Sequence, residues 1–208
     1  MLRKVSKTTI IKPQCHIDFY KDFYKEEKAT KIFEYFEKKI KWPERSFKKN
    51  SKTFHTGLRA NQNYGDEGIT YELNFGGYNG RPKHTTVRKV LPWNELPGLT
   101  VLRDRVTKIT GQKFNYCVIL RYPSGNVEIH PHRDRETKST IAGVSFGETR
   151  TLRMLPPYYS KEENIDIQLN NGSLYVLNHP TNDFWKHSIP KEPDMKGIRI
   201  SVTFRYQE

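Results

Sequence analysis

The chain has 208 residues, of which 36 are Lys or Arg and 23 are Asp or Glu, giving a formal net charge of +13. That length suits one domain, and 12% aromatic residues argue against long disorder. No apolar run approaches the roughly 18 residues of a membrane helix, and the N-terminus has no apolar signal-peptide segment. Cys15 and Cys117 make no disulfide framework. We therefore expect an intracellular protein, in the cytoplasm or nucleus, with no membrane partner.

The positive charge is concentrated near the N-terminus. Residues 1–60 hold 16 Lys and Arg against 7 Asp and Glu, a net charge of +9, and the remaining residues carry +4. Such an excess favours a polyanionic partner, above all nucleic acid. A basic, soluble surface with no such partner is the alternative that charge alone leaves open.

The first third of the chain predicts an arm, a helix and a basic connection. Residues 1–24 indicate an extended basic arm that ends in aromatic residues. In residues 25–40 the apolar positions recur at helical spacing, and a Trp-Pro pair ends the helix. Residues 44–65 are polar and basic, which predicts a surface loop or short strands. A second helix is predicted over residues 96–110.

Short segments with strand character, separated by turn-rich stretches, dominate the rest of the chain. They cover residues 69–73, 117–122, 141–146, 151–154, 173–177 and 198–206. One or two N-terminal helices followed by about seven short strands predict an α+β, mainly β fold. The architecture we expect is a double-stranded β-helix, or jelly roll, with the N-terminal helices packed on one side.

The His-Pro-His-Arg-Asp stretch at residues 130–134 carries the strongest chemical signal. In an extended strand, His132 and Asp134 share one face and can chelate one ion. His187, 53 residues after Asp134, would complete two His and one carboxylate, the facial triad of non-haem Fe(II) oxygenases. A lone His-x-Asp also arises by chance, and a cupin-like site of His130, His132 and a later His is the competing metal hypothesis.

The last predicted strand alternates polar and apolar side chains. Two arginines on one strand face, shortly after a candidate metal ligand, suit a dianionic co-substrate. One guanidinium can bind a terminal carboxylate in a fork, and the other can lie near the metal; 2-oxoglutarate is such a dianion. A solvated polar strand face is the alternative. The polar face carries Arg199, Ser201, Thr203 and Arg205.

Over residues 30–207 these motifs, in this order, resemble the AlkB family of 2-oxoglutarate- and Fe(II)-dependent dioxygenases, which reverse alkylation damage on nucleic-acid bases. Residues 64–71 look like the substrate-side segment of the eukaryotic duplex-DNA-repair members. The other matching stretches are Phe-Asn-Tyr at 114–116, His-Arg-Asp at 132–134, Ile-Ala-Gly-Val-Ser-Phe-Gly at 141–147, Asn-His-Pro-Thr-Asn at 178–182 and Trp-Lys-His-Ser-Ile-Pro at 185–190.

The resemblance assigns roles to matching residues. It implies Fe(II), 2-oxoglutarate and O₂ as cofactors, with ascorbate as an in vitro reductant. The implied iron ligands are His132, Asp134 and His187. The implied 2-oxoglutarate contacts are Tyr122, Arg199, Thr203 and Arg205. We expect the damaged base to contact Tyr71, Tyr64 and Glu136, and the phosphates to contact Lys48, Lys49 and Lys52. Arg59 is a further expected substrate-binding residue. Ordinary strand packing of Tyr64 and a solvated Glu136 are the alternatives.

The implied activity is oxidative demethylation of 1-methyladenine- and 3-methylcytosine-type lesions in DNA. The methyl group leaves as formaldehyde, and 2-oxoglutarate becomes succinate and CO₂. A base in a duplex must be flipped out, or already be single-stranded, to reach the metal. The alternatives are the same chemistry on RNA or on a protein, and a nucleic-acid-binding module with weakened catalysis. We expect a monomer.

Three positions depart from the family's pattern. Leu120 and Ser201 stand where the family has asparagines that contact the co-substrate, and Ser201 can replace one contact in part. The aromatic wedge of duplex-repair members is missing near residues 51–52, which favours single-stranded substrates. The predicted organisation is an arm over 1–24 and a dioxygenase domain over 25–208, with a recognition region at about 44–90 and a catalytic core at about 114–206.

Overall fold

The computed structural model describes residues 5–43, 46–49, 52–55, 59–75, 84–134, 137 and 139–207. In this part of the chain the helices are α1 (Glu26–Lys39), α2 (Pro97–Thr110) and the short α3 (Thr181–Phe184). The strands are β1 (Thr8–Lys12), β2 (Cys15–Tyr20), β3 (Ser46–Lys49), β4 (Lys52–His55), β5 (Ala60–Gly65), β6 (Thr70–Phe75), β7 (His84–Lys89), β8 (Leu91–Pro92), β9 (Tyr116–Tyr122), β10 (Ile129–His132), β11 (Ile141–Gly147), β12 (Arg150–Leu155), β13 (Ile165–Leu169), β14 (Ser173–Asn178), β15 (Lys186–Ile189) and β16 (Arg199–Arg205).

Two sheets make the body of the fold. The large one has eight strands in the order β1-β2-β14-β11-β16-β9-β5-β8, and the small one has four in the order β10-β15-β12-β13. Two further pairs, β3-β4 and β6-β7, form separate two-stranded ribbons. This mainly β architecture confirms the predicted jelly roll. None of the helices in the described residues is long and apolar enough to cross a membrane.

The large sheet has one apolar layer on each face. On one face it packs against α1 and α2, where the fully buried Phe36 meets Phe146 edge-on with 5.7 Å between ring centroids. On the other face a second layer that includes Leu152, Met154 and Trp185 fills the space beside the small sheet. The predicted helices over 25–40 and 96–110 agree with α1 and α2 to within one residue at each end. Because the helices cover only one face of the large sheet, a site can lie on the other face, beside the apolar layer toward the small sheet.

The N-terminal segment predicted as an arm is largely sheet. Strands β1 and β2 form an antiparallel hairpin, and β2 pairs with β14 of the large sheet. The indole N–H of Trp185 donates to the Pro13 carbonyl at 3.0 Å, and the Thr181 hydroxyl donates to the His16 carbonyl at 3.1 Å. Alternate residues of β2, beginning with the buried Cys15, fill the core, a period of two that is visible in the sequence.

Candidate active site

Adjacent strands bring the two candidate histidine ligands together. His132 ends β10 and His187 lies in β15, and the two are direct cross-strand partners with ring centroids 4.3 Å apart. Asp134 follows two residues after β10, with its Oδ1 3.5 Å from His132 Nε2. One ligand atom from each residue lies within 4.8 Å of the other two, and the described residues contain no other such His, Cys, Asp or Glu group. The arrangement fits a metal held by two imidazoles and one carboxylate.

The charges around this cluster favour its metal-binding protonation states. Burial raises the pKa of Asp134, but Arg205 and the hydrogen bond with His132 outweigh it and hold that pKa well below its usual range. The guanidinium of Arg205 approaches Asp134 Oδ2 to 2.5 Å. Burial lowers the pKa of His187 to about 4, so its imidazole is neutral at physiological pH. A carboxylate and a neutral imidazole are the forms that bind metal ions.

His130 orients His132 through its backbone. His132 Nδ1 lies 2.8 Å from the His130 carbonyl oxygen, which can only accept, so Nδ1 carries the proton and Nε2 is left for a metal. The His130 side chain is 85% exposed. It is also outside the cluster of ligand atoms, so the structure does not support the cupin-like alternative.

Asn182 of α3 fixes the backbone of the carboxylate ligand. Its Oδ1 accepts from the Asp134 backbone N–H at 3.0 Å, and its Nδ2 donates to the Asp134 carbonyl at 2.8 Å. Both residues are buried. One amide therefore satisfies both backbone groups of a residue outside any strand, which a smaller side chain would leave unpaired in the interior.

A cleft next to the cluster is lined by the residues expected to bind 2-oxoglutarate. Arg199, which is 1% exposed, donates from Nε to Ser145 Oγ at 2.8 Å and from Nη2 to Ser201 Oγ at 3.3 Å. Its buried Nη1 has no hydrogen-bond partner among the described residues. A buried, unpartnered guanidinium N–H fits a carboxylate ligand. The cleft is lined by His132, His187, Tyr122, Arg199, Thr203 and Arg205.

The two departures from the family's pattern lie in this same cleft. Leu120 of β9 and Ser201 of β16 are direct cross-strand partners, and both line it. Ser201 uses its hydroxyl to accept from Arg199. Leu120 offers no polar atom, so that wall of the cleft is apolar where an amide was expected.

Sequence reasoning missed Arg150, which fastens the flanks of both histidine strands. Its side chain is 1% exposed and donates from Nε to Glu192 Oε2 at 2.8 Å. Its Nη2 donates to the carbonyls of Val127, before β10, at 3.0 Å and Pro190, after β15, at 2.5 Å. An arginine at the start of a strand carries no sequence signal that distinguishes this buried role from a surface one.

The residues expected to contact nucleic acid belong to several elements, and one of them lies outside the described residues. Arg59 donates from Nη1 to the Glu128 carbonyl at 2.7 Å, near β10. Tyr64 is 4% exposed in the helix-side core, where ordinary packing accounts for it. Tyr71 lies on β6, and Glu136 lies outside the described residues. Lys48 and Lys49 lie on β3 and Lys52 on β4. Their contacts with nucleic acid stay predictions.

Comparison with known proteins gives a consistent family assignment. A model of the 2OG-Fe(II) oxygenase superfamily matches residues 16–205. The DNA oxidative demethylase ALKBH2 of Bos taurus is 39% identical over 163 residues, which cover 73% of this chain and 54% of that protein. The Homo sapiens protein of the same name is 36% identical, covering 73% of this chain and 58% of that protein.

Two further similarities extend this result. The alpha-ketoglutarate-dependent dioxygenase alkB homolog 3 of Rattus norvegicus is 31% identical, over 67% of this chain and 52% of that protein. The solved structure of OsALKBH1 superposes with a TM-score of 0.58 over 95% of this chain and all of that one, at 11% identity, which shows the fold alone. The resemblance to the AlkB family is thereby confirmed. The chain spans 54% to 63% of the length of the mammalian ALKBH2 relatives it matches.

The buried imidazole of His187 predicts a pH dependence of the metal-free protein. In the unfolded chain His187 has its ordinary pKa of 6.5, whereas in the folded protein its pKa is about 4. Between these two pH values the unfolded chain therefore binds a proton that the folded protein does not. The free energy of unfolding should fall as the pH falls, by about 2–3 kcal/mol at pH 4.5. Asp134 does not contribute there, because its ordinary value of 3.8 and its lowered pKa both lie below this window. Urea unfolding of chelator-treated protein at pH 7.0 and 4.5 measures the difference, and His187→Gln should reduce it; an equal difference in both proteins contradicts the prediction.

Removing the Asn182 amide should weaken metal binding. Asn182→Ala leaves the Asp134 backbone unpaired, and we expect an affinity for Mn²⁺ about 10- to 100-fold lower, measured by calorimetric titration. The matched control is Asn178→Ala, since Asn178 donates to Asp18 at 3.2 Å away from the cluster. Equal Mn²⁺ affinities in the two variants would contradict a positioning role.

Proposed function

This chain belongs to the 2OG-Fe(II) oxygenase superfamily, and from that premise we propose that it demethylates N-alkylated bases in DNA. The observation that carries the proposal is that His132, Asp134 and His187 form one cluster of ligand atoms, and that the two histidines line the same cleft as the buried Arg199. The named activity of the ALKBH2 relatives supports DNA as the substrate class. Lesions such as 1-methyladenine and 3-methylcytosine follow from the resemblance to the AlkB family.

The residues of the cleft divide the work of binding. When bound, Fe(II) and 2-oxoglutarate supply, with O₂, the oxidation that releases the methyl group as formaldehyde and leaves succinate and CO₂. His132, Asp134 and His187 would hold the metal, and Arg205 keeps the carboxylate of Asp134 ionised. Arg199 would bind the carboxylate of 2-oxoglutarate far from the metal through its Nη1. The protein's contribution is thus a fixed geometry of the binding groups around the cleft.

The β3-β4 ribbon favours phosphate binding. Lys49 and Lys52 are direct cross-strand partners, and Lys48 adjoins them. Three lysines so close together along one ribbon suit the phosphates of a nucleic acid. These lysines would hold the backbone of the nucleic acid without reading its sequence.

Demethylation of a defined oligonucleotide tests the proposed function. We would supply the protein with Fe(II), ascorbate and 2-oxoglutarate and present DNA carrying 1-methyladenine or 3-methylcytosine. The expected result is loss of the methyl group, detected by mass spectrometry, together with formation of an equal amount of succinate. His132→Ala and Asp134→Ala should abolish both, because each removes a metal ligand. The matched control His130→Ala should retain them, since that exposed side chain lies outside the cluster.

Three outcomes of this experiment would count against the proposal. They are no turnover of any lesion by the wild type, turnover that survives Asp134→Ala, and loss of activity in His130→Ala, which would restore the cupin-like alternative. Matched single- and double-stranded DNA and RNA with the same lesion would rank the substrates.

Replacing the ribbon lysines should weaken DNA binding and its salt dependence. With Lys48, Lys49 and Lys52 changed to Ala, we expect the slope of log affinity against log salt to fall by about two to three, since each lysine would neutralise one phosphate. Fluorescence anisotropy with a labelled oligonucleotide at several salt concentrations measures it. The control changes three α1 lysines, Lys28, Lys38 and Lys39, for the same loss of net charge. An unchanged slope in the ribbon variant, or an equal change in the control, would make the charge a general surface property.

A further inference from the structure

Three neighbouring strands place Tyr175 beside the expected co-substrate contacts. Tyr175 of β14 and Thr203 of β16 are both direct cross-strand partners of Gly143 of β11. Cross-strand partners point to the same face of a sheet, so Tyr175 and Thr203 share the cleft face with an empty position between them. Tyr175 is 6% exposed and lines the cleft together with Arg199 and Arg205.

Gly143 makes room for the tyrosine ring. A Cβ at Gly143 would lie 2.2 Å from Tyr175 Cζ, 2.3 Å from its Cε1 and 2.5 Å from its hydroxyl oxygen. Non-bonded carbon and oxygen atoms do not approach so closely, so the ring can lie across β11 only because residue 143 has no side chain. The hydroxyl thereby lies toward β16, where Thr203 is one of its neighbours.

The Tyr175 hydroxyl lies among the charges that a dicarboxylate would meet. Burial raises its pKa, and its other electrostatic neighbours are Arg199, Asp134 and Arg205. It is therefore a protonated donor at physiological pH. Arg205 is engaged by Asp134 at 2.5 Å, whereas Nη1 of Arg199 has no hydrogen-bond partner among the described residues. Arg199 in turn has both Tyr122 and Tyr175 as neighbours.

We propose that Tyr175 is a co-substrate-binding residue whose hydroxyl donates to the same carboxylate that Arg199 binds. It supplies a donor in the cleft where Leu120 and Ser201 stand in place of the family's two asparagines. Gly143 leaves the space that the tyrosine ring occupies. This inference rests on the proposed function, because it assumes that the cleft binds 2-oxoglutarate.

The test removes only the hydroxyl. Tyr175→Phe keeps the ring over Gly143, and Tyr20→Phe is the matched control, since Tyr20 lies in the core on the helix side of the large sheet. The probes are N-oxalylglycine, which has both carboxylates of the co-substrate, and oxalate, which has only the metal-binding end. Binding of each is measured by calorimetry on the Mn²⁺-loaded protein.

We expect Tyr175→Phe to lower the affinity for N-oxalylglycine about tenfold, because the variant loses a hydrogen bond to a charged group. Its affinities for oxalate and for Mn²⁺ should stay within about twofold of the wild type, which also reports an intact site. The KM for 2-oxoglutarate should rise with little change in kcat. Should the phenylalanine variant not fold, Tyr175→Met fills the same space and lacks the hydroxyl.

The outcomes separate this inference from the function on which it rests. A wild-type protein that binds Mn²⁺ but not N-oxalylglycine would overturn both. Binding by the wild type with no loss in Tyr175→Phe would overturn the role of Tyr175 alone. Equal losses for N-oxalylglycine and oxalate would place the hydroxyl at the metal end and overturn the assignment to the Arg199 carboxylate. A loss in Tyr20→Phe as large as in Tyr175→Phe would make the effect a general one on stability.

Discussion

The ion pair between Arg205 and Asp134 is the interaction on which the site depends. The two groups approach to 2.5 Å, with side chains only 9% and 6% exposed. A carboxylate so deeply buried would be neutral without a partner, and a neutral carboxyl is a poor metal ligand. Arg205 lies on β16 of the large sheet, whereas Asp134 follows β10 of the small sheet. Packing the two sheets together therefore buries the carboxylate and, in the same step, brings the guanidinium that keeps it ionised.

Hydrogen bonds extend this dependence to the N-terminal end of the chain. Asn182 holds the backbone of Asp134, and its neighbour Thr181 bonds to both backbone groups of His16. Trp185, at the other end of α3, donates to the Pro13 carbonyl. The short helix is thus fixed between the N-terminal hairpin and the carboxylate ligand. Contacts made by the first twenty residues help to determine where a ligand atom lies.

Local patterns in the sequence predicted the parts of the site that depend on one strand. Arg199 and Arg205 share one face of β16 because side chains alternate along an extended chain. Asp134, which was expected on the same strand as His132, lies two residues beyond the end of β10. The choice between the facial triad and a site of His130, His132 and a later His needed the pairing of β10 with β15, which no local pattern contains. Arg150 and Asn182 act through backbone carbonyls distant in sequence, so their roles required the assembled fold. The period of two in β2 was visible, but its pairing with β14 was not.

The N-terminal hairpin also determines what the large sheet presents to solvent. Because β2 pairs with β14 along five residues, a chain begun at residue 25 would leave β14 as an unprotected edge. That edge would consist of residues 174–178, which are apolar apart from Asn178. They include no lysine or proline that would hinder pairing with a strand of another chain. Exposed edges of this kind join to other chains. The segment predicted as a basic arm therefore covers an edge of the large sheet, and removing it would expose that edge to pairing with other chains.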